Sequence, residues 1–292
     1  MITFKVPAGI GDIAWLYGKL RNMGRPFALQ ASGEQPRRSE PFLSILPGVE
    51  NKGYGEFGYH DTFIKKKLGL PAFIDPRLLE DGAYFLSCNT HGDEGNRIEE
   101  FMPALPMSFH YPLNLSQEHH AGAARILDGL KNPAILVYTS KYNNNGDWIF
   151  WGPDGWAKFL DLVALAVGGA SFIVIGAEFD GDLGPRTARA LEVRGHEVRE
   201  VVGKTHIGEV MSLIQQVDYF FSYPSGLGIM GDVLNTPTMM FLPTPRHDKL
   251  KDSYADPENI ASGRHINHLF SSEKSAFDVW VEKGIQHFGV RV

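Results

Sequence analysis

Short apolar blocks alternate with stretches of helical spacing almost from end to end of the chain. Residues 2–6 (Ile-Thr-Phe-Lys-Val) form a first strand. After Pro7-Ala8-Gly9-Ile10-Gly11-Asp12, a helix runs to about residue 23, with Ile13, Leu16, Tyr17 and Leu20 on one face. A strand follows at 26–30. Residues 31–82 are looser and rich in Gly and Pro, with a helix at 61–68. Residues 83–87 are a strand and 118–130 a helix, and Lys131-Asn132-Pro133 breaks the chain into halves. The second half is more regular. Strands at 134–139, 172–175, 197–201, 219–223 and 238–241 alternate with helices at 154–167, 183–194, 207–216 and 225–234, and a helix at 272–287 closes the chain.

Strands alternating with helices of this length predict α/β architecture with parallel sheets covered on both faces. The 292 residues correspond to about two domains. The break places them at 1–130 and 131–270, with a hinge at 131–133 and the last helix, 271–292, packing back on the first domain. Ligands of such sheets sit at the carboxyl ends of strands, where strand order reverses. The loops after Val6, Thr139, Gly176, Tyr223 and Leu242 are therefore the places to look for chemistry.

Composition narrows the choice. Hydrophobic residues make up 43% and charged residues 21%, which excludes a disordered chain and a small disulfide scaffold. A net charge of −6 gives no global attraction for a polyanion, so nucleic-acid binding would need a local basic patch. Lys65-Lys66-Lys67 and Arg37-Arg38 are short basic runs of the kind that usually face solvent. One cysteine, Cys88, excludes an intrachain disulfide and a cysteine zinc cluster, and fits a reducing compartment. No stretch approaches the roughly 18 apolar residues of a membrane span, and residues 1–6 do not read as a secretion signal. The expected location is the cytoplasm.

Three loops carry candidate chemistry. Gly9, Gly11 and Ala14 have the G-x-G-x-x-A spacing of a weak dinucleotide fingerprint, whose acidic partner would be Glu34. Glycines there let the backbone turn and leave helix-start amides free for an anion. Asp12 is either a helix-start dipole partner or a general base. Thr139, Ser140 and Lys141 put two hydroxyls and an ammonium after a buried strand, which suits a diphosphate, although a solvated loop reads the same way. Ser225, Gly226, Leu227 and Gly228 open a helix directly after a strand, with Ser225 as a good N-cap. Pro224-Ser225-Gly226 is not a G-x-S-x-G nucleophile elbow, so hydrolase chemistry is unsupported. Eleven histidines, among them His119-His120 and the pair His265 and His268, have no acidic or cysteine partner at ligand spacing and read as surface residues. No metal site is expected.

The order of motifs in the second half resembles a known family. The strand at 134–139, Trp156 and Phe159 on the next helix, Gly176-Ala177-Glu178, Val202-Gly203-Lys204-Thr205, Ser225-Gly226-Leu227, Asn235-Thr236-Pro237-Thr238 and Pro243-Thr244 follow one another. Together with Gly11-Asp12 after the first strand, this is similar to the lipopolysaccharide heptosyltransferases of glycosyltransferase family 9. The similarity spans about 2–20 and 134–245. It implies the GT-B fold, two Rossmann-like domains facing across a cleft. It also implies metal-free transfer of a sugar from a nucleotide-diphosphate donor, with no further cofactor. The acceptor would be a hydroxyl on a glycan, on a lipid-linked acceptor or on a modified nucleic acid. Carried over by position, Asp12 would be the acceptor-side base. Thr139, Ser140 and Lys141 would face the donor phosphates, Glu178 would lie near the nucleoside, and Ser225, Gly226 and Leu227 would form the donor-binding helix start.

Two positions depart from the family pattern. Pro224 stands where it carries an acid before Ser/Thr-Gly-Leu, and Ile229 where it often carries a histidine, so ADP-heptose is one donor among several. Three other readings use parts of the same pattern. An NAD-dependent oxidoreductase would use Gly9, Gly11 and Ala14. A non-catalytic scaffold on the same fold would account for Pro224 and Ile229. A nucleotide-sugar epimerase would convert the donor without an acceptor.

Overall fold

A computed structural model describes residues 1–32, 36–55, 75–86, 102–139, 151–242, 255–269 and 271–288. Contacts divide the chain into two compact units, Met1–Leu115 and Ser116–Val292.

In the first unit, β1 (Ile2–Pro7), β2 (Phe27–Ser32), β3 (Glu50–Gly55) and β4 (Ala83–Phe85) form a sheet in the order β3-β2-β1-β4, and every pairing is parallel. Ile2, Phe4 and Val6 of the inner strand β1 are fully buried. The chain fills one side of β1 with β2 and β3, then crosses to the other for β4. That makes the end of β1 the point where strand order reverses. Helix α1 (Ile10–Leu20) follows at once and is held along its length. The Tyr111 hydroxyl donates to the Ala14 carbonyl at 2.9 Å, Tyr17 to the Pro47 carbonyl at 2.7 Å, and the buried Lys19 ammonium to the Leu105 carbonyl at 2.9 Å. Helix α2 (Pro36–Leu43) and β3 lie in the stretch that reads as loose. The helix expected at 61–68 lies outside the described residues, as do Glu34, Lys65-Lys66-Lys67 and Cys88.

The second unit opens with helix α3 (Gln117–Leu127). Strands β5 (Ala134–Tyr138), β6 (Ser171–Ile175), β7 (Glu197–Glu200), β8 (Tyr219–Ser222), β9 (Thr238–Leu242) and β10 (His265–Leu269) form an all-parallel sheet in the order β10-β9-β8-β5-β6-β7. Helices α4 (Pro153–Ala166), α5 (Leu183–Val193), α6 (Ile207–Gln216), α7 (Gly226–Val233), α8 (Pro257–Ser262) and α9 (Glu273–Lys283) complete it. Strands β5, β6, β8 and β9 are buried at every residue, as unbroken apolar runs should be when helices cover both faces. Ile135, Val137, Phe172, Val174, Tyr219, Phe221, Met239 and Phe241 share one core with Trp156, Phe159 and Leu160 of α4, Leu191 of α5, and Ala276 and Trp280 of α9.

Several boundaries differ from the sequence reading. The units divide fifteen residues before the expected break, because α3 is seated on α6: His119 stacks on His206 with ring centroids 5.1 Å apart, and His120 Nδ1 lies 2.9 Å from Ser212 Oγ. The expected hinge at 131–133 is tied to β6, with Lys131 N donating to Ser171 Oγ at 2.9 Å and Ser171 N to the Pro133 carbonyl at 3.0 Å. The last helix, expected on the first domain, puts Trp280 and Ala276 into the core of the second unit. Strand β10 went unforeseen because His-Ile-Asn-His-Leu is too polar for a buried strand. Its His265 is a correction to the surface reading of the histidines. It is 1% exposed, with Nε2 3.1 Å from Asn267 Oδ1 and Nδ1 3.9 Å from Asp232. Asp232 is buried too, and accepts from Asp256 N and Asn259 Nδ2, each at 2.8 Å.

Desolvation holds His265, His268 and His287 below the ordinary imidazole value of 6.5; the Asp232 carboxylate pulls His265 back only in part. The folded chain therefore binds fewer protons than the unfolded one just below pH 6.5, so folding free energy is lost as pH falls through that range. The urea midpoint is expected to drop between pH 7.5 and pH 5.5, and less so in His265→Gln. Equal midpoints at the two pH values in the unmodified chain would show that these rings are not held neutral.

Candidate functional site

Both sheets place sequence-marked loops at their reversal points. In the first unit, Gly9 is the N-cap of α1, with φ −75° and ψ 132°. That conformation is open to any residue, so glycine is not needed there to make the turn. A Cβ on Gly9 would instead crowd the tip of the Asp12 carboxylate, which would have to turn aside, its Cγ standing 3.5 Å away. Gly11 is buried in the first turn and Asp12 is half-buried. The Asp12 carboxylate thus folds back over the start of α1 beside the end of β1. There the helix dipole favours its charge and it can also meet a ligand.

In the second unit the reversal lies between β5 and β8. Tyr138 pairs with Ser222, and Tyr223 N donates to the Tyr138 carbonyl at 3.3 Å, so Thr139 and Tyr223 leave the sheet side by side. Thr139 is 1% exposed, and its hydroxyl finds no hydrogen-bond partner among the described residues. A Cβ on Gly184, in the first turn of α5, would stand 3.6 Å from that hydroxyl. Ser140 and Lys141 lie outside the described residues.

Ser225 caps α7 as expected, its Oγ accepting from Gly228 N at 3.1 Å. The amides of Gly226 and Leu227 are first-turn donors with no partner inside the helix, a ready seat for an anion. Gly228 is occupied differently. A Cβ there would meet Met240 Sδ, and Ser222 Oγ at 2.6 Å, so this glycine lets α7 lie close on the sheet. Ile229, at the position of the family's histidine, is 6% exposed and packed inward.

Glu178 is exposed, one strand further along the same carboxyl edge, at the start of the turn Glu178–Asp180 after β6. The Asp180 carboxylate accepts from Ala177 N at 2.7 Å, and Gly203 N of the next loop donates to the Gly176 carbonyl at 2.8 Å. Those two bonds fix the shape of the edge. The Asp-Gly pair at 180–181 was a turn signal that could have pointed to this carboxylate.

Sequence reasoning also missed Tyr223. Its hydroxyl accepts from Trp151 N at 2.7 Å and donates to the Trp151 carbonyl at 3.3 Å, while its ring meets Trp156 edge-on at 5.0 Å. One residue therefore ties the end of β5 to residue 151 and stands two positions before Ser225. Burial pushes its phenol far above the ordinary range, so it stays protonated. Tyr223→Phe keeps the ring and strands the Trp151 amide, a loss of about 1–3 kcal/mol in urea unfolding. A change under about 0.5 kcal/mol would mean that another group satisfies that amide.

Two units, each an open parallel sheet with helices packed on it and its marked loops at the reversal of strand order, make the architecture of the GT-B glycosyltransferases. No protein-family model matches the chain, and no curated protein matches its sequence. Solved structures do. The ADP-heptose lipopolysaccharide heptosyltransferase II of E. coli aligns over 99% of this chain and 99% of its own, with TM-score 0.65 and 14% identity. A family 9 glycosyltransferase of Veillonella parvula aligns over 97% and 90%, with TM-score 0.62 and 11% identity. E. coli heptosyltransferase WaaC, solved with ADP, aligns over 97% and 100%, with TM-score 0.57 and 14% identity. At these identities the likeness is one of fold. Among the described residues no helix is long and apolar enough to cross a membrane.

Proposed function

We propose that this chain is a metal-independent glycosyltransferase that moves a sugar from a nucleotide-diphosphate donor to an acceptor hydroxyl, in the cytoplasm. The observation that carries the reading is the meeting of Thr139 and the start of α7 at the strand reversal of the second sheet. A buried hydroxyl with no hydrogen-bond partner among the described residues stands there beside a capped helix whose first amides have no partner within the helix. Such a place suits a diphosphate; of the similar structures, one is of an enzyme named for ADP-heptose and another was solved with ADP, and both compounds contain a nucleoside diphosphate.

The acceptor oxygen attacks the anomeric carbon, the bond from that carbon to the diphosphate oxygen breaks, and the acceptor proton passes to the Asp12 carboxylate. The leaving diphosphate gains negative charge. The amides of Gly226 and Leu227, the hydroxyls of Thr139, Ser140 and Ser225, and the ammonium of Lys141 stabilise that charge; removing one such donor typically costs about a hundredfold in rate. Glu178 receives the ribose hydroxyls. A heptose is one candidate sugar, since Pro224 and Ile229 stand where the resembled family carries an acid and often a histidine. The acceptor is a glycan, a lipid-linked glycan or a modified nucleic acid.

The test is a thermal-shift panel without added metal, containing ADP-, UDP-, GDP- and CDP-sugars, the free diphosphates and NAD(H), with ADP-heptose included. A ligand at about a hundred times its dissociation constant adds roughly 2.7 kcal/mol of stability. A shift with one nucleoside diphosphate and its sugar is expected. A shift with NAD alone, or silence from every nucleotide, would overturn the reading in favour of an oxidoreductase or a scaffold.

A further inference from the structure

Two histidines stack where α3 meets α6, and each closes the first turn of its own helix. His206 is the N-cap of α6, its Nδ1 accepting from Gly208 N at 3.1 Å. His119 is the third residue of α3. Its Nδ1 accepts from Ser116 N at 3.2 Å, while Ser116 Oγ accepts from His119 N at 3.2 Å. The two rings are 5.1 Å apart between centroids and 7° from parallel. A Cβ on Gly208 would run into the His119 ring, so that ring rests directly on the first turn of α6.

These bonds fix where the protons are. A backbone amide only donates, so each Nδ1 presents a lone pair, and each ring is the neutral form protonated at Nε2. An imidazolium has no acceptor nitrogen left. Protonating either ring therefore removes a cap, and protonating both sets like charges face to face. A positive charge at a helix N-terminus also opposes the helix dipole. All three penalties act at one contact and in one direction. Among the described residues, the other charged or titratable groups around these two helix starts are Glu118, His120, Arg125, Lys204 and Glu209. Glu209 is already engaged, accepting from His206 N at 2.7 Å with Arg125 at 3.9 Å. Lys204 pairs with Glu200, Glu118 is exposed in the first turn of α3, and His120 lies 2.9 Å from Ser212 Oγ.

We infer that the stacked pair His119 and His206 is a pH-sensitive latch, which holds α3 on α6 while both rings are neutral and releases it when they take up protons. The range is the one in which imidazoles change charge, between about pH 5 and pH 8. The contact is complete above that range and is lost as pH falls through it. The chain enters the second unit through α3, so the latch guards the first element of that unit. It is independent of the transferase reading.

The experiment is amide hydrogen exchange of the full chain at pH 7.5 and pH 5.5, corrected for the intrinsic pH dependence of exchange, with melting temperature as the folding control. Protection of residues 121–127 is expected to fall about tenfold at pH 5.5, on the scale of lost capping bonds, and more than that of the strands β5 and β8. The double variant His119→Gln with His206→Asn keeps an acceptor at both places, since Gln suits the third helical position and Asn the N-cap, but neither side chain takes a proton. It should hold α3 equally at both pH values. His120→Gln should lose α3 as the unmodified chain does. Equal protection of α3 at the two pH values in the unmodified chain would overturn the inference, and so would an undiminished loss in the double variant. A loss abolished by His120→Gln would overturn it as well, by moving the switch to that ring.

Discussion

Asp12→Ala is expected to lower sugar transfer by a factor of 10² to 10⁴, on the order of what a positioned general base contributes, while leaving the dissociation constant of the nucleotide donor within about twofold. The two effects separate because Asp12 belongs to the first unit, and the residues assigned to the donor belong to the second. A fold defect would not imitate this result. As an acid in the first turn of α1, Asp12 adds only about 0.3–1 kcal/mol through the helix dipole. Gly9→Ala sharpens the test, because it leaves the carboxylate in the chain and takes the space it occupies. Transfer should fall there too. Single-turnover rates and donor titrations measure both quantities, and transfer by Asp12→Ala near the unmodified rate would return Asp12 to the role of a dipole partner.

Trp280→Ala should destabilise the chain by about 3–5 kcal/mol, the usual loss when a buried indole is truncated. That is a large share of the 5–15 kcal/mol that holds a typical protein folded. Trp280 is fully buried, with its ring centroid 5.9 Å from Tyr219 and 6.2 Å from Phe221. Those two residues lie on β8, the strand that ends just before Tyr223 and Ser225. The cavity therefore opens under the strand that carries the helix start assigned to the donor, and donor affinity should weaken along with stability. Urea unfolding followed by circular dichroism gives the first quantity. A loss below about 1 kcal/mol would show that the last helix is an accessory to this core and not part of it.

Much of the second sheet was legible because its inner strands are nearly continuous apolar runs. Ala134–Tyr138 and Ser171–Ile175 admit few other readings once helical stretches flank them. The capping role of Ser225 was legible for a similar reason, since a hydroxyl before a helix acts locally. What escaped were features made by distant partners. Strand β10 is polar in isolation; its first two residues are buried and the rest half-buried, with β9 pairing to it in register and Asp232 near His265. Strand β3 (Glu-Asn-Lys-Gly-Tyr-Gly) carries two glycines and little apolar surface, and takes its shape from β2 beside it. The Tyr223 clamp on Trp151 joins residues 72 apart, and nothing local marks it. Gly9 was legible as a glycine of interest, but its φ of −75° does not call on glycine's backbone freedom; what lies close to it is the Asp12 carboxylate.

The strand order of the second sheet also has a consequence for how the chain is made. Strands β5, β6 and β7 leave the ribosome first, yet the other flank of β5 waits for β8; Asp218, which bonds Ala134 N at the foot of that pair, comes 84 residues later. Until then Leu136 and its neighbours line an open edge, the kind of surface that pairs with another copy of the same strand. Nascent chains halted before residue 219 should therefore clump, while chains released after β9 and β10 have emerged should not. Slowing translation between β7 and β8 is expected to lower the yield of soluble protein more than slowing it after β9.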